Sequence, residues 1–351
     1  MWGHQSKKQM SIKILLTCAG GGLAPHIIKM LRESKVYKNT KVYAVDMNKN
    51  ASGKHFADYF QTVSRGGSKN FIKQINKISK KFKINLILPG SDEDALNLSK
   101  NRHIIETNCT KIASVSFKIL KILCDKSRTY SYLRKFNIPT PIWYLAKNKK
   151  DLFKCIEKFI LRKKDMIIKP CVSRGGRDVY IISKRNKKEI FKNSGRQIEL
   201  NLKILKRKYL KSIIKIFPVI VMEKLSPPCF DFDMLCKNGN LIQGVTRRRI
   251  NSAVPNDGHY VENRNDIFNI GKKISKCFKL TWLYDCDFML DDKKKPKIIE
   301  VNPRMSGSAA ISVAAGIPLF DNLISIYKNK RIKKIKYSNK KLILSSINKN
   351  F

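Results

Sequence analysis

One stretch near the C-terminus, Ile298-Ile299-Glu300-Val301-Asn302-Pro303-Arg304, limits the folds open to this chain more than any other. It reads as a buried strand, and side chains alternate along a strand. Glu300, Asn302 and Arg304 therefore share one face, while Ile299 and Val301 share the other. A carboxylate, an amide and a guanidinium converging at a strand end cost free energy unless they bind something. Glu and Asn oxygens suit a hard cation such as Mg²⁺, and Arg suits phosphate or carboxylate. The stretch thus has the chemistry of a metal–nucleotide site.

A second strand, Leu283 to Met289, precedes it by one hairpin. Its Asp285 and Asp287 share a face, and Asp287 is expected to pair with Glu300 across antiparallel strands. Two carboxylates and an amide then make an oxygen-rich Mg²⁺ site, which phosphate oxygens would complete. Further upstream, Met166 to Pro170 reads as a strand carrying Lys169 at its end. A loop follows, Cys171-Val172-Ser173-Arg174-Gly175-Gly176-Arg177, and then a second strand from Asp178 to Ile182. A lysine entering a glycine-rich turn suits a phosphate grip, because glycines let backbone N–H groups approach closely. Taken alone, the same pattern is also that of a plain hairpin.

Val219 to Glu223 is another apolar strand, whose exit at Glu223-Lys224-Leu225 offers backbone groups to a base edge. Phe230 to Met234 alternates apolar and acidic residues. Leu241 to Ile250 places Arg247 and Arg249 on one face, suited to a triphosphate or a carboxylate. The competing reading is a basic edge strand that deters aggregation.

Residues 11–108 read as β-α-β-α-β-α, with strands at Lys13–Thr17, Lys41–Val45 and Asn85–Leu88 and helices at Ala24–Glu33 and Ser68–Phe82. Phe71, Ile72, Ile75, Ile78 and Phe82 recur at helical spacing. Such alternation predicts a parallel sheet covered on both faces. Gly20-Gly21-Gly22 and Asp46 lie at dinucleotide-like spacing, but Pro25 stands where the third glycine belongs, so a tight turn is the preferred reading. Residues 109–145 carry a short strand and two helices. Residues 146–222 read as helix, strand, glycine loop, strand, helices and strand. Residues 230–301 are strand-rich, with one helix near Asp266–Phe278. Helices follow at Ser308–Ala315 and Pro318–Tyr327.

The chain has 351 residues, 42% of them hydrophobic, with 73 Lys and Arg against 26 Asp and Glu, a net charge of +47. Lysine, isoleucine and asparagine are abundant throughout, as an AT-rich genome would produce, and the basic residues are dispersed. Most of the excess reads as composition on solvated faces. The scarcity of acids still leaves an acidic partner open. The N-terminus is polar, and Ile12 to Leu16 is too short for a secretory signal. No run reaches membrane-spanning length: Lys215 and Pro218 break Ile213–Met222, and Gly316 and Pro318 interrupt Ala309–Phe320. A cytoplasmic protein without membrane contact is expected. The nine cysteines contain no C-x-x-C pair and read as reduced.

In order, Asp125-Lys126, Ile138 to Pro141, Met166 to Pro170, Ser173 to Gly176, Val221 to Leu225 and Glu300 to Arg304 resemble the ATP-grasp superfamily. The branch is that of the carbamoyl-phosphate synthetase large subunit and related carboxylate–amine ligases, and the resemblance covers about residues 12–328. It implies an α/β and α+β architecture. A Rossmann-like pre-ATP-grasp domain (11–108) would precede linker helices and a first lobe (109–222), a second lobe with the metal site (223–328) and a basic tail (329–351). By motif match, Lys126 and Lys169 would contact phosphates and the loop at Gly175-Gly176 would close over them. Glu223 and the backbone of Lys224 and Leu225 would hold adenine. Asp287, Glu300 and Asn302 would bind Mg²⁺, with Mn²⁺ as the alternative ion. Arg304, with Lys169, Arg247 and Arg249, would serve the reacting phosphate and carboxylate. The family often has Glu four residues before the position matched by Asp233; Cys229 stands there, which passes the ribose role to Asp231. At the position of Asp287 the closest branch often carries Gln.

The resemblance implies an enzyme, an ATP-dependent ligase that joins a carboxylate to an amine through an acyl-phosphate. Its substrates would be small molecules, or an acidic glycan or peptide. Two other readings compete. One is a non-catalytic nucleotide-binding protein that recruits an acidic partner. The other is a basic nucleic-acid-binding protein, disfavoured because aromatic–basic interleaving is absent. The sequence names neither substrate nor oligomeric state.

Overall fold

The computed structural model describes residues 11–173, 175–183, 188–192, 195–252 and 257–343. Chain order begins with β1 (Lys13–Leu16), α1 (Ala24–Arg32), β2 (Lys41–Asp46), β3 (Tyr59–Thr62), α2 (Lys69–Phe82), β4 (Leu86–Leu88), α3 (Asp92–Lys100), α4 (Arg102–Ile105) and β5 (Lys111–Ile112). These strands form one parallel sheet in the order β3-β2-β1-β4-β5. The predicted α2 is present, with Ser68 as its N-cap accepting the Phe71 N–H at 3.2 Å. Its apolar stripe meets Leu15, Val45 and Ile87 on one face of the sheet. The sequence reading missed β3, whose residues Tyr-Phe-Gln-Thr are half-buried on an edge and carry no clean alternation.

The middle of the chain contains α5 (Phe117–Leu123), α6 (Lys126–Arg134), β6 (Trp143–Ala146), α7 (Lys149–Leu161), β7 (Met166–Pro170), β8 (Val179–Ile182), β9 (Ile190–Lys192), β10 (Gln197–Leu200), α8 (Leu202–Ile204), α9 (Leu210–Lys215) and β11 (Val219–Glu223). The second sheet runs β6-β11-β7-β8-β10-β9 and packs on α7 through Leu152, Ile156 and Phe159.

The remaining elements are β12 (Ser226–Lys237), β13 (Asn240–Arg249), β14 (His259–Glu262), α10 (Asn265–Cys277), β15 (Trp282–Leu290), β16 (Pro296–Asn302), α11 (Ala309–Ala314), α12 (Leu319–Tyr327) and β17 (Lys340–Leu342). The third sheet is antiparallel in the order β16-β15-β12-β13-β14-β17. Strict alternation sorts its faces. Phe230, Phe232, Met234, Cys286 and Phe288 face α10 in one core cluster. On the other face, Leu235, Val245, Val261 and Leu283 join α11, α12, α1 and the first sheet in a shared core. Further along that second face the same strands carry Asp231, Asp233, Arg247, Arg249, Asp285 and Asp287. The basic tail holds a strand that the sequence reading did not foresee, β17, which extends the sheet along β14. Among the described residues no helix is long and apolar enough to cross a membrane.

Candidate active site

The β15–β16 register sets Asp287 opposite Glu300 and Asp285 opposite Asn302. The expected pairing of Asp287 with Glu300 is present. Facing these strands is the first turn of α6, capped by Asp125, whose carboxylate accepts the Ser127 and Arg128 N–H groups at 2.9 and 3.1 Å. Buried Tyr130 hydrogen-bonds the Ile299 carbonyl, which fixes α6 against β16. Lys126 Nζ consequently lies 3.0 Å from Glu300 Oε1 and donates to the Ser173 carbonyl at 2.8 Å.

Lys169, near the end of β7, is 6% exposed. Among the described residues it has no ion pair, although it feels Glu300 and Asp287. Burial, and then the neighbouring Lys126, push its ammonium down to about 8. Burial opposes the charge of Glu300, but Lys126, Lys169 and Arg304 together outweigh it and hold the carboxyl below its usual range. Burial pushes Asp287 up to about 6 against the pull of Arg249, with Asp231 and Glu300 adding to the rise.

Beneath this rim lies a second layer of charge. Arg247 has no exposed surface. Its Nε and Nη2 donate to Asp233 at 2.8 and 3.0 Å, and its Nη1 donates to Ser308 at 2.9 Å. Ser312 donates to the same Asp233 at 2.6 Å. Arg249 forks onto Asp231 and reaches Asp287 at 3.0 Å, and buried His259 meets Asp231 at 2.7 Å. Burial opposes the charge of Asp231, but Arg249, His259 and Arg247 outweigh it and hold the carboxyl well below its ordinary range.

Several sequence expectations change here. Arg247 was expected to serve a ligand, but every guanidinium nitrogen is engaged inside the protein and the residue braces α11 against the sheet. Asp231 was expected at a ribose, but it is 1% exposed and committed to Arg249 and His259. Alternation identifies a face, not a depth, and both residues sit on the right face below the surface. Glu223 is also committed: its carboxylate accepts the Ile142 N–H at 2.9 Å and Lys164 at 2.7 Å. The Lys224 N–H bonds the Asp165 carbonyl at 3.0 Å, and its ammonium meets Glu199 at 3.1 Å. These contacts shape the strand exit.

Gly175 and Gly176 both adopt left-handed backbone, with φ of 65° and 66°. Side chains there would be strained, and a Cβ on Gly176 would stand 2.8 Å from Gln197. Arg174 of the same loop lies outside the described residues. The Gly20 N–H bonds Asp46 at 2.7 Å, so this glycine loop is closed by the carboxylate that dinucleotide spacing would have sent to a ribose. Arg304 stands at the rim, with Nη1 donating to the Met305 carbonyl at 2.7 Å and Nε 3.4 Å from Asp92.

The donor set fits a hard divalent cation. Asp285 Oδ1 and Asp287 Oδ1 are buried with no hydrogen-bond partner among the described residues. Asn302 spends its amide nitrogen on Asp285 at 2.9 Å, which leaves its carbonyl oxygen as a ligand atom. Asp231, Asp285 and Asp287 also offer oxygens within 4.8 Å of one another. Asp285 and His259 had been given no role. Asp285 was visible two residues before Asp287, whereas His259 carries no sequence signal.

Residues 215–350 match a family model described as ATP-grasp in the biosynthetic pathway with Ter operon, and residues 14–113 match the PylC-like N-terminal domain. No curated protein matches the chain. Among solved structures, it is similar to N5-carboxyaminoimidazole synthetase from Staphylococcus aureus complexed with ADP. The TM-score is 0.68 and the identity 14%, covering 95% of this chain and 81% of that one. It is also similar to the biotin carboxylase domain of the Hydrogenobacter thermophilus 2-oxoglutarate carboxylase with MgADP, ADP and bicarbonate. There the TM-score is 0.65 and the identity 16%, covering 93% and 71%. L-amino acid ligase from Bacillus licheniformis gives 0.65 and 12%, covering 91% and 74%.

Proposed function

We propose that this chain, which has the ATP-grasp fold, is an ATP-dependent ligase that joins a carboxylate to an amine through an acyl-phosphate. One observation carries the reading. Two buried lysines from the α6–β7 side meet a carboxylate–amide rim from the β15–β16 side, with Lys126 3.0 Å from Glu300. The solved structures similar to it include nucleotide complexes, which supports ATP as the bound substrate. In this reading residues 11–108 form the pre-ATP-grasp unit, 109–222 the linker and first lobe, and 223–328 the second lobe.

The chemistry follows from positioned charge rather than from a nucleophilic side chain. A carboxylate oxygen of the substrate attacks the γ-phosphorus, the bond to the ADP oxygen breaks, and an acyl-phosphate forms. The amine nitrogen then attacks the acyl carbon, phosphate leaves and the nitrogen loses a proton. Asp287, Glu300 and Asn302 would hold Mg²⁺, which supplies charge neutralisation at the phosphates. Lys169, protonated at neutral pH and without an ion pair among the described residues, offers its ammonium to a phosphate oxygen. Lys126 exchanges Glu300 for the same task. Arg304 holds the substrate carboxylate in line. The backbone at Gly175 and Gly176 covers the phosphates and excludes water. Arg249 keeps Asp287 aimed from below.

Thermal unfolding with and without ATP·Mg²⁺ tests the site, because a ligand of the folded form raises the midpoint. A raised midpoint, followed by ADP release when a panel of carboxylates and amines is added, is the expected result. Absence of any ATP·Mg²⁺ effect overturns the reading. Binding without ADP release across the panel favours a nucleotide-dependent recruiter of acidic partners, in keeping with the +47 charge.

A further inference from the structure

The N-terminal unit touches the site through Asp92. This residue opens α3, and its Oδ1 stands 3.4 Å from Arg304 Nε. Both atoms are shut off from solvent, and among the described residues neither has a hydrogen-bond partner. The turn that carries Asp92 is fixed by its neighbours. Ser91 caps its helix by accepting the Asp94 N–H at 3.1 Å, and Asp94 in turn takes the Thr17 hydroxyl at 2.6 Å. Thr17 also accepts the Gly90 N–H at 3.1 Å, so the turn is pinned to the ends of β1 and β4. The neighbouring Glu93 is drawn to Arg65 at 3.0 Å.

Arg304 is therefore held at Nη1 by a hydrogen bond to the Met305 carbonyl and drawn at Nε by the charge of Asp92. Among the described residues Nη2 has no partner. A second attraction acts on the same guanidinium, because its charge is felt by Glu300. Asp92 and Glu300 thus pull on one arginine, one from the N-terminal unit and one from β16. Without Asp92 the arginine is free to fall onto Glu300, where it would occupy a metal ligand and abandon the carboxylate position.

We propose that Asp92 is a positioning residue for Arg304, so that the N-terminal unit sets the angle at which the guanidinium meets the reacting carboxylate. The proposal rests on the ligase reading, and its test has one arm that does not. Asp92→Asn keeps shape and removes charge. In the first arm, the ¹⁵N–¹H resonance of Arg304 Nε, assigned with Arg304→Lys, is followed without any ligand. Wild type should show a slowly exchanging Nε–H that Asp92→Asn loses and Asp92→Glu partly restores.

The second arm runs the phosphoryl half-reaction backwards with acetyl phosphate and MgADP. The bond from phosphorus to the acyl oxygen breaks, a bond to the ADP β-phosphate oxygen forms, and ATP and acetate result. Asp92→Asn should lower kcat by about 10–100-fold, as small misplacements of a positioning group do. The KM for MgADP should stay within about twofold. Adding Arg304→Lys to Asp92→Asn should cost less than about threefold more, because the two act as one unit. An unchanged Nε–H resonance, an unchanged kcat or fully multiplicative losses would overturn the proposal. A wild-type protein that makes no ATP counts against the ligase reading, and the resonance then decides the positioning alone.

Discussion

Arg247 and Lys169 are both buried cations beside the same cleft, and they differ in how their charge is met. Arg247 is ringed by Asp233, Ser308 and more distant Asp231 and Asp285, and no ligand is needed to complete it. Lys169 carries its charge at 6% exposure with no ion pair among the described residues, and its ammonium is pushed down to about 8. The first arrangement is a closed network, costly to break and indifferent to substrate. The second is a charge held ready at a standing cost to the fold, as expected of a site that awaits an anion. Residue type does not separate the two; the state of the partners does.

The largest effect should come from breaking the closed network. Arg247→Met leaves Asp233 buried without its guanidinium, and loss of one partner from such a pair costs about 3–5 kcal/mol. Urea unfolding should show a loss of that size or a failure to fold. A stability within about 1 kcal/mol of wild type would show that Arg247 is not a brace, and would return it to the candidate ligand contacts.

Breaking the open site should do the reverse. Lys169→Met keeps the stem and removes the charge, so the fold should survive while ATP-dependent ADP release falls by about 10²-fold or more. Isothermal titration with MgADP measures the accompanying loss of binding. An unchanged turnover would remove Lys169 from the phosphate path and leave Lys126 alone there.

The pH dependence sharpens the contrast further. In the unfolded chain Lys169 titrates near its ordinary 10.5, and in the folded protein near 8. Below about 8 it is charged in both states and burial penalises the fold. Between the two values the unfolded chain binds the proton more tightly, so stability rises with pH through that window. Lys169→Met should therefore be more stable than wild type at pH 7, by on the order of 1–3 kcal/mol, and the gap should close toward pH 10.5. Denaturant midpoints of both proteins at pH 7 and 10 decide it. A gap that does not shrink would show that burial of this charge is not what lowers its affinity for the proton.

The same contrast explains what could be read from the sequence. The opposition of Asp287 and Glu300 was legible because an antiparallel hairpin fixes which residues face one another. The order of motifs put Lys126 in one site with this hairpin, and the fold sets its ammonium 3.0 Å from Glu300. Arg247 and Asp231 read as ligand contacts because alternation gives a face, and Glu223 because of its motif, while the partners they have in the fold, Asp233, His259 and Lys164, are set by tertiary depth. Asp92 was invisible as a site residue, since its arginine lies more than two hundred positions away. Strands β3, β6, β9, β10 and β17 were missed because three or four mixed residues carry no clear period.

The smallest effect should appear at the glycine loop of the first sheet, which has closed itself as Arg247 has. Asp46 accepts the Gly20 N–H at 2.7 Å and the Asn48 N–H at 2.8 Å, and it is 8% exposed. Asp46→Asn keeps one acceptor and loses the charge, which should cost about 1 kcal/mol. MgADP affinity should stay within about twofold, because the proposed phosphate contacts lie on other elements. NADH fluorescence should show no saturable binding in either protein. Saturable NADH binding that Asp46→Asn abolishes would mean that Asp46 leaves Gly20 for a ribose, and the loop would then belong with Lys169 among the charges that wait for a ligand.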